Sequence, residues 1–459
     1  MKRIEIAKLN RQFEKMDGQV VRVCGWVKSA RDNKSIGFVD LNDGTCFRGV
    51  QIVVDASQPF YSKIVNLNIG SSVSIVGTIK ITEGAKQPYE IDAKEIEIYC
   101  ATDSTYPIQK KRQTVEYLRD YAYLRPRTNL FSALYRVRSE LAFGIHEFFN
   151  SRGFVYAHTP IITSSDCEGA GNLFSVSTQD IYAKNNNLSP SDELMGKKAF
   201  LTPTGQLEGE AMAQCFGNIY TFGPTFRAEN SHTTRHANEF WMIEPEMSFC
   251  DLDEMMDIEE DMIKFLIKRA FEKCPDEMNF FNTFVDKGLF DRLNHVLDST
   301  FERVTYTEAI EILKKNNDKF EYPVEWGSDI QTEHERYLAE VTFKKPVFVT
   351  DYPKDIKAFY MKQNADGKTV RACDMLLPGV GETIGGSQRE EDYDKLLRRI
   401  QELGLKESDY AWYLNLRKFG SVPHSGYGLG FDRLLMYVTG VGNIRDTIPF
   451  PRTPNNCLY

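Results

Sequence analysis

Residues Phe226–Phe249, FRAENSHTTRHANEFWMIEPEMSF, set an Arg-x-Glu (Arg227, Glu229) before a polar loop and a Glu-Phe (Glu239, Phe240) after it. The loop carries His232, Thr233, Thr234, Arg235 and His236, so the stretch reads as two strands joined by a charged connection able to close over a polyanion. Arg227 offers a planar fork to a phosphate, and Phe240 offers a ring on which a nucleobase can stack. Far downstream, GYGLGFDRLLMY (426–437) puts glycines at the mouth of a helix and Arg433 in its first turn. Taken singly, an Arg-x-Glu also fits a solvated ion pair and a glycine cluster also fits a turn. Taken together, the two segments suggest an ATP site.

Upstream of this centre, residues 18–100 alternate in short apolar runs broken by glycine: VVRVCGWV, IGFVDLND, GVQIVV, SSVSIVGTI and YEIDAKEIEIY. Period-two runs at this spacing predict a small closed β-barrel, with the OB-fold as the natural candidate, a type that often binds single-stranded nucleic acid. Phe38 lies beside Asp40 on one such strand and Gln51 begins the next, a set that can stack one base and read the edge of another. Ordinary barrel core is the competing reading of Phe38. From Ala101 to about Arg127 the alternation fades into prolines and basic residues, which predicts a hinge. Lys110, Lys111, Arg112, Arg119, Arg125 and Arg127 form a local basic patch there, readable as an RNA contact or as a solvated linker face.

Leu134, Val137, Leu141, Ile145 and Phe148 recur at helical spacing and predict a long helix over 130–150, followed by a strand in GFVYAHTP. Amphipathic helices are also expected over 251–274 and 305–315, while 275–345 is rich in charge and carries no recognisable chemistry. At 459 residues the chain exceeds what one core usually supports, so at least two domains are expected. No apolar run approaches a membrane span, and the start MKRIEIAKLNRQF is charged where a signal peptide is apolar, so a soluble, cytoplasmic protein is expected. Nine cysteines without a CxxC pair argue against a disulfide framework and a structural zinc site. The net charge of −9 means that any RNA contact must be local.

GVGETIGGS does not fit GxGxxG, and no GxxxxGK[ST] loop, GxSxG elbow or papain-type CGSCW is present. LRPRTNLFSALYRVRSELAFGIHEFFNSRGFVYAHTP (124–160), the Phe226–Phe249 stretch and the glycine-rich helix mouth resemble motifs 1, 2 and 3 of the class II aminoacyl-tRNA synthetases. The resemblance covers essentially the whole chain and is closest to the subgroup charging aspartate, asparagine and lysine. It implies an α+β fold: an OB-fold anticodon-binding domain over 1–100, a hinge over 101–127, and a catalytic domain over 128–459. That catalytic domain would have an antiparallel sheet flanked by helices, with 275–345 as a helical elaboration. It also implies a homodimer built largely on the unit ending at Pro160, and bases read by Phe38, Gln51 and Glu90.

Within the resemblance, Arg227 would bridge the α-phosphate and the attacking carboxylate, Glu229 would position adenine, Phe240 would stack on it, and Arg433 would hold the γ-phosphate. Arg235 and His236 would clamp the outer phosphates. Asp374 and Glu382 flank the turn MLLPGVG and would ligate Mg²⁺ on the ATP, Glu382 the more strongly. Glu168 and Gln206 match residues holding the substrate α-amino group. His424, just before the third motif, is expected to line the substrate pocket.

Asparagine and aspartate are nearly isosteric, so a site that chooses between them must read hydrogen-bond polarity. Arg389 could donate to a side-chain carbonyl while Glu244 accepts from the amide nitrogen. An aspartate would instead face Glu244 with a like charge, worth roughly 4 kcal/mol at about 4 Å and an effective dielectric near 20. Aspartyl relatives carry a shorter Asp at the place of Glu244 and a Lys at the place of Gly209. The expectation is therefore L-asparagine as substrate and tRNA(Asn) as acceptor, by way of an adenylate. The alternatives are a relaxed aspartyl enzyme charging both tRNAs, or a tRNA-independent amidating synthetase on the same catalytic domain.

Overall fold

The computed structural model describes residues 1–85, 87–111, 113–164, 172–180 and 189–459. The chain divides into two compact units, Met1–Arg136 and Val137–Tyr459.

In the first unit, five strands close into a barrel of order β1-β2-β3-β5-β4: β1 Val20–Asp32, β2 Ile36–Asn42, β3 Val50–Asp55, β4 Ser72–Ile81 and β5 Tyr89–Cys100. The alternation in the sequence is the reason. Val23, Val39, Leu41, Ile52, Val54, Val73, Ile75 and Ile91 all point inward and are buried, while their neighbours face out. Phe38 and Gln51 are among the outward set, half-buried, and Phe38 is no part of the barrel core. Gln51 opposes Asp40 across β2 and β3. Its amide nitrogen lies 3.4 Å from Glu90 Oε2, and it accepts from Gln87 Nε2 at 3.0 Å.

The segment after the barrel holds a short helix, Val115–Arg119, capped by Thr114. The basic patch expected there is smaller than its composition indicates. Arg125 is fully buried with its guanidinium 4.4 Å from the Phe131 ring centroid, so it serves packing rather than solvent. Arg127 lies over Trp26 and Tyr106, and Arg112 falls outside the described residues.

The second unit is built on an eight-stranded sheet. In chain order its strands are β6 Val155–Tyr156, β10 Asn218–Phe226, β11 Glu239–Ser248, β12 Glu302–Thr305, β13 Val347–Pro353, β14 Thr369–Leu377, β15 Gly381–Gln388 and β16 His424–Gly430. They lie in the order β12-β13-β14-β15-β16-β11-β10-β6. A small three-stranded sheet of β7 Ile162–Thr163, β8 Ser175–Val176 and β9 Ala199–Leu201 stands apart. The middle of the main sheet is antiparallel, as the resemblance implies, but both edges pair in parallel, β12 with β13 and β6 with β10. Each parallel pair is joined by a connection containing a helix, Tyr306–Lys314 in one and Gln206–Phe216 in the other, because a tight hairpin cannot return a chain to a parallel neighbour.

The long helix runs Asn129–Ser151, with Leu134, Val137, Leu141, Ile145 and Phe148 all buried. The strand expected in GFVYAHTP shrinks to Val155–Tyr156, its pairing ending where Ala157 N–H meets Tyr220 O at 2.9 Å, three residues before a proline that has no N–H to give. The helix Leu252–Lys273 begins at a capping box, Asp251 with Glu254, and packs on β14, β15 and β16. The helix Tyr306–Lys314 begins at another, Thr305 with Glu308.

Residues 275–345 are more than a helical elaboration. They give β12 to the main sheet, and their Tyr306, Ile310, Leu313 and Leu338 share a core with Val349, Tyr352 and Leu376 of β13 and β14. Among the described residues, no helix is long and apolar enough to cross a membrane.

Candidate active site

Period-two alternation decides which side chains meet. On β11, Met242, Glu244 and Glu246 project to one face of the sheet, and β16 offers Gly428 and Gly430 to the same space. Missing side chains on β15 and β16 leave a cavity of about 300 Å³ where long polar side chains converge. Gln206, Arg227, Glu229, Arg235, His236 and Phe240 line it, and so do Glu244, Asp374, Glu382, Arg389 and Arg433. Glu168 lies outside the described residues. Phe38, Gln51 and Glu90 belong to the barrel of the other unit.

At one end the charges are buried and interlocked. Glu244 accepts from Thr204 Oγ1, from Gly205 N–H at 3.0 Å and from Thr221 Oγ1 at 3.1 Å. Three donors on one carboxylate fix its orientation. Arg389 has its own buried partners on the neighbouring strands. It grips Glu246 in a two-point pair, Nη2–Oε1 2.5 Å and Nε–Oε2 3.2 Å, and donates through Nη1 to Ser387 Oγ at 2.8 Å. Glu246 was not singled out from the sequence, although its position two residues beyond Glu244 on a strand places it on the same face.

Behind this pair stands Glu210, fully buried, accepting from Arg417 Nη2 at 2.8 Å, from Tyr413 Oη at 2.7 Å and from Gln206 Nε2 at 3.1 Å. His424 Nε2 lies 2.9 Å from Glu210 Oε2. His424 is therefore no pocket-lining residue: it is wholly buried and supports Glu210. Burial opposes ionisation of Glu210, but Arg417 and then His424 outweigh it and hold the carboxyl well below the usual range. Glu246 balances differently, with burial lifting it to about 7 against the pull of Arg389.

At the other end the groups are half-exposed. The loop between β10 and β11 is pinned through its backbone, with Arg227 N–H to Asn238 O at 3.0 Å and Asn238 Nδ2 to Arg227 O and Glu229 O at 2.7 and 2.9 Å. Arg227 and Phe240 share a corner, guanidinium carbon 5.6 Å from the ring centroid. His236 Nε2 stands 3.9 Å from Glu229 Oε2, and its imidazole is pushed below the ordinary histidine value by partial burial and by Arg433. Arg433 sits in the first turn of the helix Phe431–Thr439. That helix is tied by Asp432, which takes Arg138 of the long helix and the Trp241 N–H.

Asp374 and Glu382 converge on an empty spot over β15. A Cβ built on Gly385 would lie 3.4 Å from Asp374 Oδ1 and 3.4 Å from Glu382 Oε1, so the glycine leaves open the space both carboxylates face. Two carboxylate oxygens with room beside them suit a hard cation that completes its shell with phosphate oxygens and water. The residues thus fit Mg²⁺. Among the described residues, no group of three or more His, Cys, Asp or Glu forms a metal cluster. Glu382 is open to the cleft, yet the surrounding protein and then the Asp374 charge raise its carboxyl to about 7. Lys357, which the sequence did not single out, places Nζ 2.7 Å from Asp374 Oδ2 and 4.0 Å from the Tyr352 ring centroid, and so offsets part of the charge of the pair.

Residues 114–454 match the family described as tRNA synthetases class II (D, K and N), and residues 21–99 match the OB-fold nucleic acid binding domain. The chain belongs to this class II synthetase family. It is 57% identical over 458 residues to an asparagine–tRNA ligase of Bacillus cereus, covering 99% of both chains. It is 56% identical over 458 residues to another from Clostridium novyi, again covering 99% of both. The crystal structure of asparaginyl-tRNA synthetase from Pyrococcus horikoshii complexed with asparaginyl-adenylate matches it with a TM-score of 0.87 and 34% identity, over 100% of this chain and 99% of that one.

Proposed function

We propose that the chain joins L-asparagine to tRNA(Asn) in two steps. The asparagine carboxylate attacks the α-phosphorus of ATP, giving enzyme-bound asparaginyl-adenylate and releasing pyrophosphate. The terminal ribose hydroxyl of the tRNA then takes the acyl group and AMP leaves. One observation carries the reading: a fixed carboxylate and a fixed guanidinium, Glu244 and Arg389, line the same cavity as Arg227 and Arg433. The first pair suits a neutral carboxamide, with Arg389 donating to its oxygen and Glu244 accepting from its nitrogen. The second suits a triphosphate.

Both reactants of the first step are anions, so the site has to neutralise charge and hold the two in line. Arg227 takes the α-phosphate and the attacking carboxylate, Arg433 the γ-phosphate, and Arg235 and His236 the outer phosphates. Phe240 stacks on adenine beside Glu229, and Gln206 holds the α-amino group. Asp374 and Glu382 would hold Mg²⁺, which supplies positive charge to the phosphates when bound. No side chain has to form a covalent intermediate.

The barrel face of Phe38, Gln51 and Glu90 is the proposed reader of the anticodon. A homodimer is supported by apolar surface on the first-motif unit, where Phe143, Val155 and Tyr156 are 63%, 37% and 40% exposed. A cytoplasmic setting is supported by cysteines such as Cys250 and Cys373, which are buried without a disulfide.

ATP–pyrophosphate exchange driven by asparagine, aspartate or lysine tests the choice of amino acid. Exchange with asparagine, followed by charging of tRNA(Asn), is the expected result; a preference for aspartate would identify the relaxed aspartyl enzyme. Ammonia-dependent asparagine formation without tRNA would identify the amidating synthetase.

A further inference from the structure

Residues 275–345 bring two carboxylates to the turn that carries Glu382. Glu335, in the short helix Thr332–Arg336, accepts the backbone N–H of Glu382 through Oε2 at 2.9 Å. Glu340, in the π-helical turn Tyr337–Thr342 that continues it, accepts the N–H of Gly379 at 2.9 Å and is itself held by Arg336 Nε at 2.7 Å. One helix thus grips both sides of the β14–β15 turn. The turn is shaped to that grip: Gly381 has φ +83°, and a Cβ there would stand 2.3 Å from Glu335 Oε2. Only a glycine lets the carboxylate come this close. Glu335 is itself buried and lies behind the cavity wall, where the charge of Arg235 also acts on it.

We infer that Glu335 is a positioning residue for the metal and phosphate end of the site, fixing the main chain of Glu382 so that its carboxylate stays convergent with Asp374 over Gly385. The inference rests on the proposed role of Glu382 as a metal ligand. Glu340 steadies the far side of the same turn. Partners that orient a ligand in this way commonly govern metal affinity by 10- to 100-fold, a scale of roughly that order being expected here.

The test is isothermal titration of ATP into the full-length protein, without amino acid, across a series of MgCl₂ concentrations. Glu335→Ala should raise the Mg²⁺ concentration giving half-maximal ATP affinity by about 10-fold, and leave the KM for asparagine unchanged. Glu335→Gln, which keeps an acceptor for the Glu382 N–H, should recover most of the loss. A Mg²⁺ midpoint that stays put in folded Glu335→Ala overturns the inference, and so does an equal loss of asparagine and ATP affinity. Should Glu335→Ala not fold, Glu340→Ala reads the same grip, a midpoint shift supporting it and a constant one overturning it. Glu382→Gln separates the two readings: if it too leaves the midpoint unmoved, the metal assignment itself has failed. If it moves the midpoint while Glu335→Ala does not, the positioning role alone is lost.

Discussion

The two ends of the active-site cavity solve opposite problems. At the amino-acid end, Glu244, Glu246 and Arg389 are 5%, 1% and 3% exposed, and Glu210 and Arg417 continue the network inward. At the nucleotide end, Arg227, Glu229, Arg235 and His236 are half-buried, on a loop fastened by its backbone. Telling a carboxamide from a carboxylate requires a donor and an acceptor that cannot rotate to suit the wrong ligand, and burial with fixed partners provides that. Gripping a triphosphate requires positive charge, supplied here by half-buried side chains at the open end of the cavity.

Removing one charge from each end would expose this difference most sharply. Arg389→Ala leaves Glu246 buried without its two-point partner, which should cost about 3–5 kcal/mol of stability in urea denaturation and abolish asparagine-dependent exchange. Arg227→Ala should lower kcat/KM for exchange by about 10²–10³-fold, with a smaller loss of stability than in Arg389→Ala. Equal stability losses in the two variants would break the contrast.

The same contrast marks how far the sequence could be read. The barrel was legible because period-two alternation is local: Val39, Leu41, Ile52 and Val54 announce their faces without knowledge of any partner. The residues of the cavity were legible as types in motifs, and Arg227, Glu382 and Arg433 do come to one place. What could not be read was pairing across long separations. Arg389 finds Glu246 and Glu210 finds Arg417 only when elements more than a hundred residues apart in the chain close together. Glu246 carried a usable signal in its two-residue step from Glu244. Glu335 carried none, being one charge in a charge-rich stretch until its helix meets the β14–β15 turn.

Two fully buried glutamates extend the comparison to stability. Glu210 has charged partners, whereas neither carboxyl oxygen of Glu259, on the helix Leu252–Lys273, has a hydrogen-bond partner among the described residues. Burial, then the charge of Asp374, raises Glu259 well above its ordinary 4.5. Above that ordinary value the unfolded chain releases the proton that the fold retains, so this group removes stability as pH rises toward its native value. Glu259→Met should therefore stabilise the protein by about 1–3 kcal/mol near neutral pH, with the gain shrinking toward pH 4. Denaturation curves at several pH values check it; a gain independent of pH would mean that Glu259 is ionised in the fold.

The smallest effect is expected in the phosphate-clamping loop. Arg235 is half-buried and faces Arg433 across the cleft mouth, so its attraction for outer phosphates is shared and partly screened by water. Arg235→Ala should raise the KM for ATP by about 10-fold, equivalent to about 1.4 kcal/mol, and leave the KM for asparagine unmoved. Because the attraction is partly screened, the ratio between wild type and variant should fall as KCl increases, whereas the stability loss in Arg389→Ala, whose charges are buried, should stay constant. A salt-independent defect in Arg235→Ala would place that arginine among the locked residues of the amino-acid end and remove the distinction between the two halves of the cavity.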